Sequence, residues 1–403
     1  MRKAIKIKDL GEVITGNTPP RSNPELYGRH TPFIKATDIE ESSKFTYFPE
    51  EFYSEIGFQK YKKSLIRKGA SCVVTIGSVG QKMTMAHCDC FINQAMNAVV
   101  PNNNYDDEYV YYLLKNNIHK LKMLNSGTAS GRENISKSAF SNMEIEAILD
   151  KDKQIIIGKI LSAYDKLIEN NQKQIKLLEE AAQRLYKEWF VDLRFPGYEK
   201  TPIIDGVPEG WKKYRISEIG KVVTGKTPST EKEEYYGKEI PFVKIPDMYN
   251  GIYSIVTETS LTKEGADTQK SKYIPANSIM VSCIATVGLV NISVNVCQTN
   301  QQINTIILNQ QEDLYYIYFT MKRLKTLLEG VGSNGATMTN VNKTKFENLE
   351  ILYPIKELRK KYFCFCYPIF KKIYDLSMNN IFLSQARDCL LPKLMSGELE
   401  VQL

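Results

Sequence analysis

Lys, Arg, Asn, Gln, Ser and Thr clustered in short loops are the residues of this chain whose types could do chemistry. The chemistry they suit is recognition of a nucleic acid. In the first half the candidates are Thr18 with Arg21, Lys35 with Thr37, Ser78 with Lys82, Asn93, and Thr128, Ser130, Arg132 and Asn134 with Lys137. In the second half they are Lys226 and Thr227, Lys244, Thr286, Asn300, and Asn334, Thr337 and Asn340 with Lys343. Lys and Arg hold phosphates, hydroxyls and backbone N–H groups fix position, and Asn, Gln and Arg match base edges bidentately. The same residue types are also the ordinary chemistry of turns. Lys35 and Lys244, or Asn93-Gln94 and Asn300-Gln301, can equally serve a scaffold that is built twice.

Motifs for bond-making are missing. There is no G-x-x-x-x-G-K-[ST] phosphate loop, and Gly77-Ser78-Val79-Gly80 is only a G-x-x-G. Thr18-Pro19-Pro20-Arg21 lacks the Asn or Asp, and the aromatic, that an amino-methyltransferase loop uses on a flipped base. Eight cysteines show no C-x₂-C…C-x₂-C framework, and beside only three histidines the set His87-Cys88-Asp89-Cys90 is not expected to hold a metal. The expectation is no catalytic residue, no metal and no cofactor in this chain.

Composition sets the class. With 403 residues, 42 % hydrophobic and 25 % charged, the chain has the balance of a globular protein with room for two or three domains. The net charge of +7 leans towards an acidic partner. No apolar run approaches the roughly 20 residues a membrane helix needs, and no apolar signal segment follows Met1-Arg2-Lys3. A cytoplasmic location without membrane contact is expected.

The elements that must position the loops come in duplicate. Leu10-Gly-Glu-Val-Ile-Thr-Gly-Asn-Thr-Pro19 returns as Ile219-Gly-Lys-Val-Val-Thr-Gly-Lys-Thr-Pro228, and Pro32-Phe-Ile-Lys35 as Pro241-Phe-Val-Lys244. Gly11 and Gly220, Tyr27 and Tyr236, and Asp38 and Asp247 all stand 209 positions apart. A repeat this long is a duplicated domain. The β-branched runs 71–76 and 278–284 read as strands, and 107–123 and 313–328 read as helices with an acidic start.

From 152 to 190 the pattern changes. Ile157, Leu161, Tyr164, Ile168, Asn171, Ile175, Leu178, Ala182, Leu185 and Trp189 alternate steps of four and three, which is a heptad seam. A second seam runs through Tyr362, Cys366, Ile369, Ile373, Leu376, Asn380, Leu383, Leu390 and Leu394, with Arg387 as a misfit and a kink expected at Pro368. Each stripe needs a partner, and the simplest is the other helix, antiparallel, with Asn171 and Asn380 setting register. The fold class expected is α+β: a first mixed β-rich domain over 1–150, a long helix over 151–195, a second such domain over 196–355 and a long helix over 356–403. The two helices form an intramolecular coiled coil and the whole is pseudo-two-fold. The exposed side of the central helix carries Lys173, Lys176, Glu179, Glu180, Arg184 and Lys187, a face on which partner subunits could dock.

The repeated Thr-Gly-x-Thr-Pro and Pro-Phe-Ile/Val-Lys stretches, the central run 168–195 and the closing Leu390-Leu-Pro-Lys-Leu-Met-Ser-Gly-Glu-Leu399 together resemble the specificity subunit of Type I restriction–modification systems. The resemblance spans essentially the whole chain. It implies two target-recognition domains, each reading half of a bipartite double-stranded DNA sequence, with the helix pair as spacer. It further implies two modification (methyltransferase) subunits that bind S-adenosylmethionine and methylate adenine, and restriction (endonuclease/translocase) subunits that use ATP and Mg. The alternatives are a stand-alone sequence-specific DNA-binding or regulatory protein, and a duplicated scaffold with no nucleic-acid role.

Overall fold

The computed structural model describes residues 2–41, 43–124, 133–324, 327 and 340–402. They form two compact units, Met1–Gln172 with Asn379–Leu403, and Lys173–Met378. The cut falls inside both long helices, so each unit owns part of each.

The first unit is built on an antiparallel sheet of β1 (Gly11–Thr15), β2 (Ser71–Val74), β3 (Met83–Met85) and β4 (Met96–Pro101), in the order β1-β4-β2-β3. A smaller sheet of Glu51–Tyr53, Tyr27–Ile34 and Phe91–Ile92 flanks it. Helix α1 (Asp107–Asn117) starts where the Asp106 side chain accepts from Tyr109 N–H. It buries Tyr109, Tyr111, Tyr112 and Leu113 against β2, β3 and the start of α2 (Lys151–Phe190).

The second unit repeats this plan. Strands β5 (Gly220–Thr224), β6 (Ile279–Ser282), β7 (Val290–Ser293) and β8 (Ile303–Leu308) lie in the order β5-β8-β6-β7, with Tyr253–Ser254 added at the β7 edge. Helix α3 (Leu314–Lys322) stands where α1 does, and α4 (Lys356–Ser396) closes the chain. A hydrophobic core joins this sheet, α3 and the adjoining stretches of α2 and α4.

In both units α2 and α4 run antiparallel. In the first, Asn171 Nδ2 donates to Asn380 Oδ1 at 2.9 Å, and Asp165 pairs with Arg387, both side chains only 8 % exposed. Arg387 is therefore no misfit: its carboxylate partner also accepts from the Tyr112 hydroxyl. In the second unit Tyr362 donates to the Ala182 carbonyl at 2.9 Å, and the seam is aromatic, built from Tyr186, Phe190, Tyr362 and Phe370.

Details differ from the sequence reading for physical reasons. Strands β2 and β6 stop short of the expected runs because Ile76 and Ile284 leave the sheet to bridge Asn134 and Asn340. Helix α1 ends at Asn117, whose side chain takes the Leu113 carbonyl at 2.8 Å, and a 3-10 turn continues to Leu124. Helix α4 runs through Pro368 without interruption, although Pro368 supplies no N–H. Along the last turns of α2, Tyr186 and Phe190 are buried where Leu185 and Trp189 were expected, and these two are partly buried beside them.

Candidate nucleic-acid interface

In each unit the candidate loops gather at one end of the main sheet. Thr15 ends β1, Val74 ends β2, and Met83 and Met96 begin β3 and β4 at that same end. Beneath the loops lies a buried polar relay: Thr15 Oγ1 donates to Asn97 Oδ1 at 2.6 Å, and Asn97 Nδ2 donates to Thr75 Oγ1 at 2.8 Å. The loop after β1 crosses the 92–94 segment, with Asn17 N–H on the Ile92 carbonyl at 2.9 Å and the Thr18 hydroxyl on Gln94 Oε1. Gly16 permits the crossing, since a Cβ there would lie 2.1 Å from the Asn93 carbonyl oxygen. Residues 75–78 are tied on the other side, with Thr75 N–H on the Ala95 carbonyl at 2.8 Å and Gly77 N–H on the Glu133 carbonyl at 3.0 Å. Gly77 and Gly80 take φ of 91° and 71°, the left-handed region that turns this loop.

The second unit reproduces the arrangement. Thr224 donates to Asn304 at 2.6 Å, Lys226 N–H reaches the Thr299 carbonyl at 2.9 Å, and the Thr227 hydroxyl donates to Gln301 Oε1 at 2.8 Å. Gly225 lies where a Cβ would meet the Asn300 carbonyl at 2.2 Å. Ala285, in the place of Gly77, keeps φ at 63° despite its Cβ.

Lys35 and Lys244 follow the strands that pair with Phe91–Ile92 and Gln298–Thr299, which sets them beside Asn93 and Asn300. Their backbone N–H groups are capped by Asp38 and Asp247 at 2.8 Å each. The Lys35 ammonium bonds Glu50 at 2.6 Å and Glu51 at 3.2 Å, and these contacts raise its pKa. Arg21 also bonds Glu51, at 2.8 Å, so that Glu51 sits between two cations and its own pKa is lowered, by Arg21 foremost.

The structure thus brings Thr18, Arg21, Lys35, Ser78, Lys82, Asn93 and Asn134 to one loop cluster, and Lys226, Thr227, Lys244, Thr286, Asn300 and Asn340 to its counterpart. Thr37 is exposed on the turn after Lys35. Lys137 and Lys343 open short helices capped by Ser136 and Asn342, and Lys343 pairs with Glu347 at 3.2 Å. Asn300 is 8 % exposed and closes a turn on Gln302, which makes it scaffold in this conformation. Thr128, Ser130, Arg132, Asn334 and Thr337 lie outside the described residues. Sequence reasoning missed Glu50, Glu51 and Glu258, because acidic residues carry no signal for contact with a polyanion.

Elsewhere, the face offered by the central helix is partly used internally: Glu179 accepts from Tyr318 at 3.0 Å and pairs with Lys322, while Glu180 and Arg184 pair with each other at 3.6 Å. No cluster of metal-ligand type occurs among the described residues, and Cys90 is buried in the sheet core. None of their helices is long and apolar enough to cross a membrane.

The Type I restriction modification DNA specificity domain family matches the chain over residues 3–180 and 208–370. The Type I restriction enzyme HindI specificity subunit of Haemophilus influenzae is 31 % identical over 355 residues, 72 % of this chain and 77 % of that protein. The MjaIX specificity subunit of Methanocaldococcus jannaschii is 27 % identical, covering 98 % of this chain and 93 % of its own. In fold, the chain is similar to the crystal structure of a Type I restriction–modification S subunit from M. genitalium, with a TM-score of 0.58, 16 % identity and coverage of 98 % and 96 %. Family and relatives favour a subunit over a stand-alone regulator or a bare scaffold. With two matched domains and a relative alike across most of its length, the chain belongs to the Type I restriction–modification specificity subunit family.

Proposed function

We propose that this chain reads a double-stranded DNA target in two halves, one at each loop cluster, and presents it to catalytic partners. The observation that carries the reading is the duplicated loop end: the same Thr–Asn relay and Thr–Gln clamp hold an exposed, cation-bearing set of side chains on each sheet. The chain is the non-catalytic component. Two modification subunits, with S-adenosylmethionine, would methylate adenine, and restriction subunits using ATP and Mg would cleave, all in the cytoplasm.

Two equivalent grooves support a pair of like partners. In the second unit, α2 and α3 enclose about 430 Å³ lined by Tyr186, Val191 and Phe319 and rimmed by Arg184, Lys187 and Arg323. In the first, α4 and α1 enclose about 380 Å³ lined by Tyr111, Ile118 and Leu391 and rimmed by Lys115 and Asp388. An apolar floor with a charged rim is the anatomy of a docking site.

Methylome sequencing of a host that expresses this chain with its modification subunit tests the proposal. The expected result is a new methylated motif of two short half-sites around a fixed unread gap. A complex that assembles and yields no new motif overturns it.

A further inference from the structure

Duplication separates residues that serve the repeated scaffold from those that serve one unit. Lys35 and Lys244 occupy the same place, and each pairs with a carboxylate, Glu50 at 2.6 Å and Glu258 at 3.7 Å. Arg21 has no such counterpart, because Thr230 stands 209 positions later. Glu51 has none either: it pairs with Phe33 across the small sheet, and in the second unit Thr259 pairs with Phe242. The Arg21–Glu51 pair therefore belongs to the first unit alone.

Its geometry is that of a donor fixed in advance. Arg21 Nη2 donates to Glu51 Oε1 at 2.8 Å, and the guanidinium carbon lies 4.7 Å from the centre of the Tyr27 ring. Tyr27 is anchored by its hydroxyl to the Pro19 carbonyl at 2.6 Å, and the Glu51 oxygen that accepts from Arg21 also accepts from the Lys35 ammonium at 3.2 Å. A side chain normally rich in rotamers is thus confined by a carboxylate and a ring, yet it stays 66 % exposed at the loop end. Fixing a guanidinium before binding lowers the entropy lost on contact, and its planar fork matches the O6 and N7 acceptors of guanine in the major groove.

We infer, resting on the DNA-reading function proposed above, that Arg21 reads a guanine in the half-site of the first unit and that Glu51 and Tyr27 are its positioning residues. The second unit, with Thr230 and Thr259 at these places, does not use this device. The two half-sites then differ in chemistry at one position, which the shared scaffold alone does not explain.

The test uses the whole complex with this chain as wild type, Arg21→Lys, Arg21→Ala and Thr230→Ala, read by methylome sequencing and by binding to duplexes varied one base pair at a time. The wild-type motif is expected to contain a guanine in one half-site. Both Arg21 variants should accept other bases at that position, with discrimination lowered roughly tenfold or more, while the other half-site and the gap stay fixed. Thr230→Ala should leave that guanine intact. Uniform weakening across all sequences, with Arg21→Lys as good as wild type, would mean a phosphate contact and overturn the assignment. An unaltered motif at full strength would mean a surface ion pair and overturn it too. Melting curves of the variants, together with the charge retained in Arg21→Lys, separate either result from misfolding. A wild-type complex with no bipartite motif at all would instead bring down the DNA-reading function, and this assignment with it.

Discussion

Gly16 and Gly225 show what repetition means for single residues. Both let one loop lie against the backbone of another, and Thr18 and Thr227 then clip it to a glutamine. The repeated Thr-Gly-x-Thr-Pro motif is legible as a signature, and in both units it holds the loop in place. Arg21 does not stand out among the loop residues in the sequence, since its confinement comes from Glu51, 30 residues away, and from Tyr27. His87 illustrates a different effect. It packs 4.9 Å from Tyr47, and burial, followed by repulsion from Lys68, depresses its pKa below the ordinary 6.5. The unfolded chain then binds this proton more readily than the folded one. The stability His87 contributes is complete above pH 6.5 and is lost as pH falls through its lower folded value. Denaturant midpoints taken at about pH 7.5 and about pH 5 should fall further for wild type than for His87→Gln. Equal losses would show that His87 is not a source of acid sensitivity.

At the level of elements, the long helices were the most legible part of the chain, because a heptad stripe sustained over more than four heptads, as from Ile157 to Trp189, admits few alternatives. Their pairing was legible through two asparagines, which meet at 2.9 Å. The chemistry around them was not. Arg387 breaks the apolar pattern, and its partner Asp165 lies 222 positions earlier, so no local window contains both. Removing one member of a buried ion pair strands the other. Arg387→Met should cost about 3–5 kcal/mol in unfolding free energy, and adding Asp165→Leu should recover much of it. Chemical denaturation of the two single variants and the double variant forms a cycle, and strictly additive losses would show that the pair is uncoupled. The end of α1 was less legible, because the apolar pattern continues past Asn117 while the backbone tightens from α-helix into a 3-10 helix over Ile118–Leu124.

Across the whole molecule, the duplication was plain in the sequence and the sheets confirm it strand for strand, as β1-β4-β2-β3 and β5-β8-β6-β7. The spacer role proposed for the helices is testable without disturbing either loop cluster. Four residues inserted after Asn171, matched by four beside Asn380, lengthen both helices by about 6 Å. The unread gap should grow by about one to two base pairs, given about 34 Å per turn of ten. Both half-sites should stay unchanged, and methylome sequencing that returns the original gap would refute the spacer role.

The unequal seams have an evolutionary consequence. The relays and clamps of each loop cluster lie within one unit and one half of the sequence, but Asp165 and Arg387 lie in different halves and meet in one buried place. A recombination event that imports a new first half carrying an apolar residue at position 165 would leave Arg387 without its counter-charge. A hybrid whose first half keeps an acid at that point would retain the buried pair, and one that does not would carry the cost of a stranded Arg387 until a second substitution removed it.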